Sequence, residues 1–209
     1  MRKAIKYIII IAIAGLLGFQ SVYFRKLSVV QKEKQVSFDA VAFTKKLWEE
    51  ELPAKMDSAI SLPDFMQAVA ANQQDAFSKY TNALGIGNYR YAMIKASGEV
   101  SAVNEDELIV KIKTGDSTLT AILATEYIYG NAIRDASGLV DIKDFPNTSE
   151  LNSISEELNK LVRTNVLADF RQQVKTGDQI QVVAAVEFNK EHVKWQNIEL
   201  LPLRLQIIK

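Results

Sequence analysis

The alternation of apolar and polar positions divides the chain into a helical first half and a strand-rich second half. From Phe38 onward Val41, Trp48 and Leu52 repeat at seven and four residues, with Phe43 and Leu47 beside them, predicting an amphipathic helix that Pro53 ends or kinks. A second helix starts at Ser61 as N-cap, with Pro63 and Asp64 in its first turn. Its buried face is predicted as Phe65, Val69, Ala76, Phe77, Tyr80 and Leu84, with Gly85 as C-cap. After Gly87 the period changes to two. Strands are predicted within Tyr91–Val103, over Leu108–Lys113, over Thr118–Ile128 and over Gln179–Phe188, and a last one through Leu201, Leu203, Leu205 and Ile207. Gly98 inside the first strand marks a bulge or a close backbone approach, and Pro202 makes the last strand an edge candidate. Between the third and fourth strands a helix runs over about 149–174, with Ser153 and Glu156 at capping-box spacing and Leu151, Ile154, Leu158, Leu161, Val162 and Phe170 as its stripe.

Three meandering strands, a helix and a two-strand hairpin follow the order of an OB-type barrel. The predicted class is therefore α+β, with a small separate helical lobe over 38–88 and a five-strand OB-like barrel domain over 89–209. The start of the chain differs from both. Residues 7–24 carry no charge and follow Arg2, Lys3 and Lys6, while Arg25 and Lys26 close the run. Its length suits a bilayer-spanning helix, and no small-x-small cleavage site follows it. A signal anchor over 1–26 is the favoured reading, a cleaved signal peptide the alternative, with a polar stalk over 27–37. The basic bias before the run orients the N-terminus inside and the body outside the cytoplasmic membrane.

The 25 basic and 25 acidic groups cancel, but the first 26 residues hold five basic groups and no acid, leaving 20 against 25 in the rest. An acidic body argues against nucleic-acid binding, the usual thought for an OB fold. The chain has no Cys, which excludes disulfides, thiolate metal sites and a lipidated cysteine within it. His192, the single histidine, falls in the turn of the last hairpin, so no triad or histidine metal site is expected. Gly85-Ile86-Gly87 lacks the third glycine and following helix of a phosphate loop, and Asn147-Thr148-Ser149 is a sequon of little weight. No catalytic residue, metal or cofactor is predicted, and the protein is not expected to be an enzyme.

One segment stands apart, from Gly130 to Gly138, where two glycines bracket small residues and an adjacent Arg134 and Asp135. Arg134 and Asp135 are candidates for holding a ligand or partner, together with the aromatic Tyr127 and Tyr129. The competing reading is that the charged pair makes local bonds that fix a loop across the barrel end.

The residues Gly130…Ala132-Ile133-Arg134-Asp135-Ala136, Asp144-Phe145-Pro146-Asn147 and Glu157-Leu158-Asn159 resemble an uncharacterised family of predicted periplasmic lipoproteins, domain of unknown function 2291. Phe38-Asp39-Ala40, Leu47-Trp48-Glu49, Leu52-Pro53-Ala54 and Gly98-Glu99-Val100 extend the resemblance over roughly 36–208. Gly98, Gly130, Gly138 and Trp48 are taken as its structural positions. The resemblance implies a helical part plus an OB-like barrel, and an extracytoplasmic, membrane-attached protein often encoded beside ribose-type sugar ABC transporters. Lacking Cys, this chain would need its helix in place of a lipid anchor. Two functions are expected to compete: an accessory module contacting sugar-transporter components, and direct binding of a small ligand or glycan on the barrel.

Overall fold

The computed structural model describes residues 38–208, together with Ile5 and Tyr7. Among the described residues no helix is long and apolar enough to cross a membrane. The anchor assigned to 7–24 lies, apart from Tyr7, outside the described residues, as does the stalk.

Helix α1 (Ala40–Lys46) is capped by Asp39, whose carboxylate accepts from the Ala42 amide, and runs through a π-turn (Leu47–Glu51) into α2 (Leu52–Asp57). Pro53 does not end this helix. The wider π-turn precedes it, so its missing N–H and bulky ring fall in the first turn of α2. The extra residue of a π-turn also re-phases the buried face. Thr44, Leu47, Leu52 and Met56 are buried, whereas Val41 is exposed and Trp48 half-buried.

A short strand β1 (Ile60–Ser61) leads into α3 (Leu62–Ala71), where Ser61 caps as predicted. Asn72 then ends α3 and caps α4 (Gln73–Tyr80) by accepting from the Asp75 amide. The single helix expected to reach Gly85 is thus two, and α4 gives way to the short β2 (Thr81–Asn82).

The long strands are β3 (Tyr89–Val103), β4 (Glu107–Thr114), β5 (Ser117–Ala124), β6 (Gln179–Asn189) and β7 (Ile198–Ile208). Between β5 and β6 lie α5 (Ala132–Ser137), a 3-10 turn (Ile142–Asp144), α6 (Thr148–Leu161), a π-turn (Val162–Leu167) and α7 (Ala168–Gln173). The cap of α6 is Asn147, not Ser153. Asn147 accepts from the Glu150 amide and donates to the Glu150 carboxylate, so the sequon asparagine is a helix cap.

The pairing β3–β4–β5–β7–β6 returns to β3, so the five long strands form a closed ring in the OB order. Every ladder of the ring is antiparallel except β5–β7, which is parallel and spans only Ala121–Leu123 against Ile198–Leu200. Strand β7 therefore has partners on both sides and is not an edge. Pro202 is accommodated where the β6–β7 register shifts and beyond the end of the β5 pairing.

Strand alternation sends Ile94, Val110, Leu123, Val182 and Val186 into the ring. Phe65 and Phe77 pack against Phe188 near one end of β6, and Phe170 and Val174 join the same core near the other. Asp39–Lys209 forms one compact unit, and α3 and α4 contribute to the ring's own core. Of the helical lobe expected to stand apart over 38–88, α3 and α4 are thus built into the ring, while α1 packs on α6. The opposite strand face is also apolar at its centre, where Met93, Val183, Ala185 and Leu201 are buried. Helix α5 packs on β3 and β6 there, and α6 packs on α5 and α1. At Gly98, β3 is paired with Ile180 on one side and begins its pairing with Ile112 on the other.

Candidate functional site

The segment singled out in sequence is a short helix in a pinned frame. All six residues of α5 are buried, and Gly138 closes the helix in the left-handed conformation, at φ 61°. Arg134 Nε donates to Asp135 Oδ1 at 2.7 Å and Nη1 donates to the Leu151 carbonyl at 2.9 Å. Arg134 is 4% exposed and Asp135 6%. Arg134 Nε and Nη1 and Asp135 Oδ1 are committed to one another and to α6, so this almost fully buried pair fixes the loop. The burial raises the Asp135 carboxyl above its ordinary value, against the hydrogen bond and charge of Arg134.

Three more side chains hold the same backbone. Arg163 Nη1 donates to the Ile128 carbonyl at 2.8 Å, Asn159 Nδ2 to Gly130 at 3.0 Å, and Asn82 Nδ2 to Ala136 at 3.3 Å. Gly130 itself is at φ 74°. On this held loop Tyr127 and Tyr129 are exposed and stack on one another, with centroids 6.1 Å apart and rings inclined by 25°. Of the four residues singled out in sequence, Tyr127 and Tyr129 are exposed, while Arg134 and Asp135 are buried.

The loop and α6 enclose a polar cleft of about 390 Å³. Ile128, Tyr129, Gly130 and Asn131 form one wall, and Asn152, Ser155, Glu156, Asn159 and Arg163 the other. The second wall is one helical stripe, with spacings of three, four and seven residues from Asn152 and Arg163 a turn further on. Arg163 lies in the π-turn, a backbone irregularity that recurs at functional sites. Asn159 is buried, and its Oδ1 has no hydrogen-bond partner. The cleft is masked in the sequence by the stronger apolar stripe of α6. Its own signal was the polar stripe beside it, N-x-x-S-E-x-x-N-x-x-x-R over 152–163.

On the neighbouring strands β3 and β6, Tyr91 is paired with Glu187. Burial first, then the hydrogen bond to Glu187 and the charges of Glu187 and Asp135, push the Tyr91 phenol up to about 12, with Arg134 acting in the other direction. Between the ordinary value of 10.0 and about 12 the folded protein keeps a proton that the unfolded chain releases. Stability therefore falls as pH rises through that window. Tyr91→Phe is expected to flatten this part of the stability curve, as read from urea midpoints across the alkaline range. Nearby Glu199 is raised by burial and by the charges of Glu187 and Glu107. Among the described residues no group of three or more His, Asp or Glu side chains could hold a metal ion. His192 sits exposed in the β6–β7 turn.

Fold and site together define an α+β protein of OB type, with a helical layer carrying a polar cleft and an exposed aromatic pair. The chain belongs to the family of predicted periplasmic lipoproteins, DUF2291, whose model matches residues 12–206, and the family puts it outside the cytoplasm. An OB-fold protein from Thermotoga maritima is similar, at 25% identity and a TM-score of 0.71, covering 82% of this chain and 99% of its own. The Stn1-ten1 complex of S. pombe overlaps at 10% identity and a TM-score of 0.27, over 63% of this chain and 68% of that one. No curated protein matches the chain.

Proposed function

We propose that the protein is a membrane-anchored, non-catalytic accessory module outside the cytoplasm that assists sugar uptake by contacting transporter components. The observation that carries this reading is the Tyr127–Tyr129 stack, exposed by 58% and 67% on a loop whose Ile128 and Gly130 carbonyls are held by Arg163 and Asn159. Aromatic groups presented on a rigid frame lose little freedom on binding and are over-represented among the residues that dominate protein interfaces. The anchor is supported by the uncharged run over 7–24 between basic clusters. The acidic excess of the remaining chain supports a protein partner over nucleic acid.

A photo-crosslinking side chain placed at Tyr127 in the full-length protein, in its native membrane, tests the reading. The expected product joins the protein to a sugar-binding protein or permease, and the Tyr129→Ala change in the same chain is expected to lower its yield roughly tenfold. Products formed with neither component would remove the reading.

A further inference from the structure

We propose that the cleft between the Ile128–Asn131 loop and α6 binds a small neutral polyhydroxyl compound, a monosaccharide or cyclic polyol. This goes beyond the accessory role, since contact with a transporter needs no ligand in the cleft. The first ground is Asn159. Its Nδ2 is committed to the Gly130 carbonyl at 3.0 Å, which fixes which end of the amide is which. Its Oδ1 is then an acceptor with no partner, on a side chain only 5% exposed. That oxygen has almost no accessible surface and does not face the cleft, so what Asn159 contributes is to hold the Gly130 carbonyl and with it the loop wall of the site.

The second ground is the company Asn159 keeps. Glu156 lies one turn and Asn152 two turns away on the same stripe, offering a carboxylate and an amide. Arg163 closes the cleft with a guanidinium held at Ile128, which keeps its fork in place. Alternating donors and acceptors of this kind match vicinal hydroxyls. The exposed Tyr129 ring at the rim offers a flat apolar face for the C–H side of a ring. One carboxylate and one guanidinium balance in the lining, so no charge excess favours an ion. The cleft volume of about 390 Å³ lies within the range of small-molecule sites.

Calorimetric titration of the full chain in nanodiscs with D-glucose, D-galactose, D-ribose and myo-inositol, with glucose 6-phosphate as the charged probe, tests the site. At least one neutral probe is expected to bind saturably. Glu156→Gln and Tyr129→Ala, both at exposed positions, are each expected to weaken that binding about tenfold, the effect of one lost polar or stacking contact. Both variants should keep the melting temperature of the unliganded protein. Absence of saturable binding by every neutral probe would overturn the proposal, as would binding undiminished in both variants. Preference for glucose 6-phosphate over glucose would overturn the ligand class. Glu156→Gln should leave the crosslink from position 127 intact, so failure of the site and failure of the accessory reading are told apart.

Discussion

Replacing Gly98 by alanine is expected to lower the unfolding free energy by about 3 kcal/mol, and valine by more. A Cβ built on Gly98 would lie 2.5 Å from the Lys111 carbonyl oxygen and 2.8 Å from Val110 Cγ1. The first of these is backbone in the β3–β4 ladder and cannot swing aside as a side chain can. Relief requires β4 to move away from β3 where β3 is also held by β6 through Ile180, so both ladders carry the strain. For a unit of this size the loss corresponds to a melting temperature lower by roughly 6–12 °C. Urea unfolding followed by tryptophan fluorescence reads the change directly. A midpoint within error of the parent would mean that the two strands are not as close as described.

The second large effect is expected at Arg134. Substitution by methionine removes the partner of a carboxylate that is almost fully buried, and breaking such a pair costs about 3–5 kcal/mol. The pH dependence separates this cause from simple loss of packing. Asp135 already has a raised carboxyl pKa, so between its ordinary value of 3.8 and the raised one the folded state holds the extra proton. Stability contributed by this group therefore falls as pH rises through that window. Without Arg134 the carboxyl is raised further, and the penalty of Arg134→Met should shrink in acid and grow toward neutrality. The double variant Arg134→Met, Asp135→Leu should recover most of the loss, because the buried charge is gone with its partner. Denaturant midpoints of the three chains at acidic and neutral pH decide the matter. A penalty independent of pH in the single variant would refute the electrostatic account.

The ring was legible because half-buried strands write their period into the sequence. Leu108, Val110 and Ile112 alternate cleanly, and β6 keeps every second residue from Ile180 to Phe188 apolar although Val183 and Ala185 are buried on its other face, so both strands fall where that period places them. Ser61 and Pro63 also marked a helix start that the structure keeps. Helix interiors were harder wherever the backbone departs from 3.6 residues per turn. The π-turn at Leu47–Glu51 shifts the face that an ideal helix would bury, which is why Val41 was placed inside and lies outside. Asn72 and Asn147 act as caps through side-chain geometry that apolar periodicity does not register.

The candidate site was half legible for a related reason. The stretch from Gly130 to Gly138 was found, yet an adjacent Arg and Asp read alike whether they face a ligand or each other. Only burial distinguishes them. The polar stripe on α6 competes with a stronger apolar stripe on the same helix, and Asn159, part of a motif shared with the family, carries as a neutral amide no sign of the loop carbonyl that it holds.

The three-residue parallel seam between β5 and β7 has a kinetic consequence. The ladder β3–β6 joins eleven residue pairs, whereas the seam joins three, supported by Asn197 donating to Thr120 at 2.7 Å and by Gln196 accepting from the Thr120 amide at 3.0 Å. The ring can thus unlatch into an open meander by parting this seam alone, with every antiparallel ladder intact. Amide protons along the seam should exchange with solvent through that partial opening, well ahead of those of β3 and β6, which wait for the whole unit to unfold.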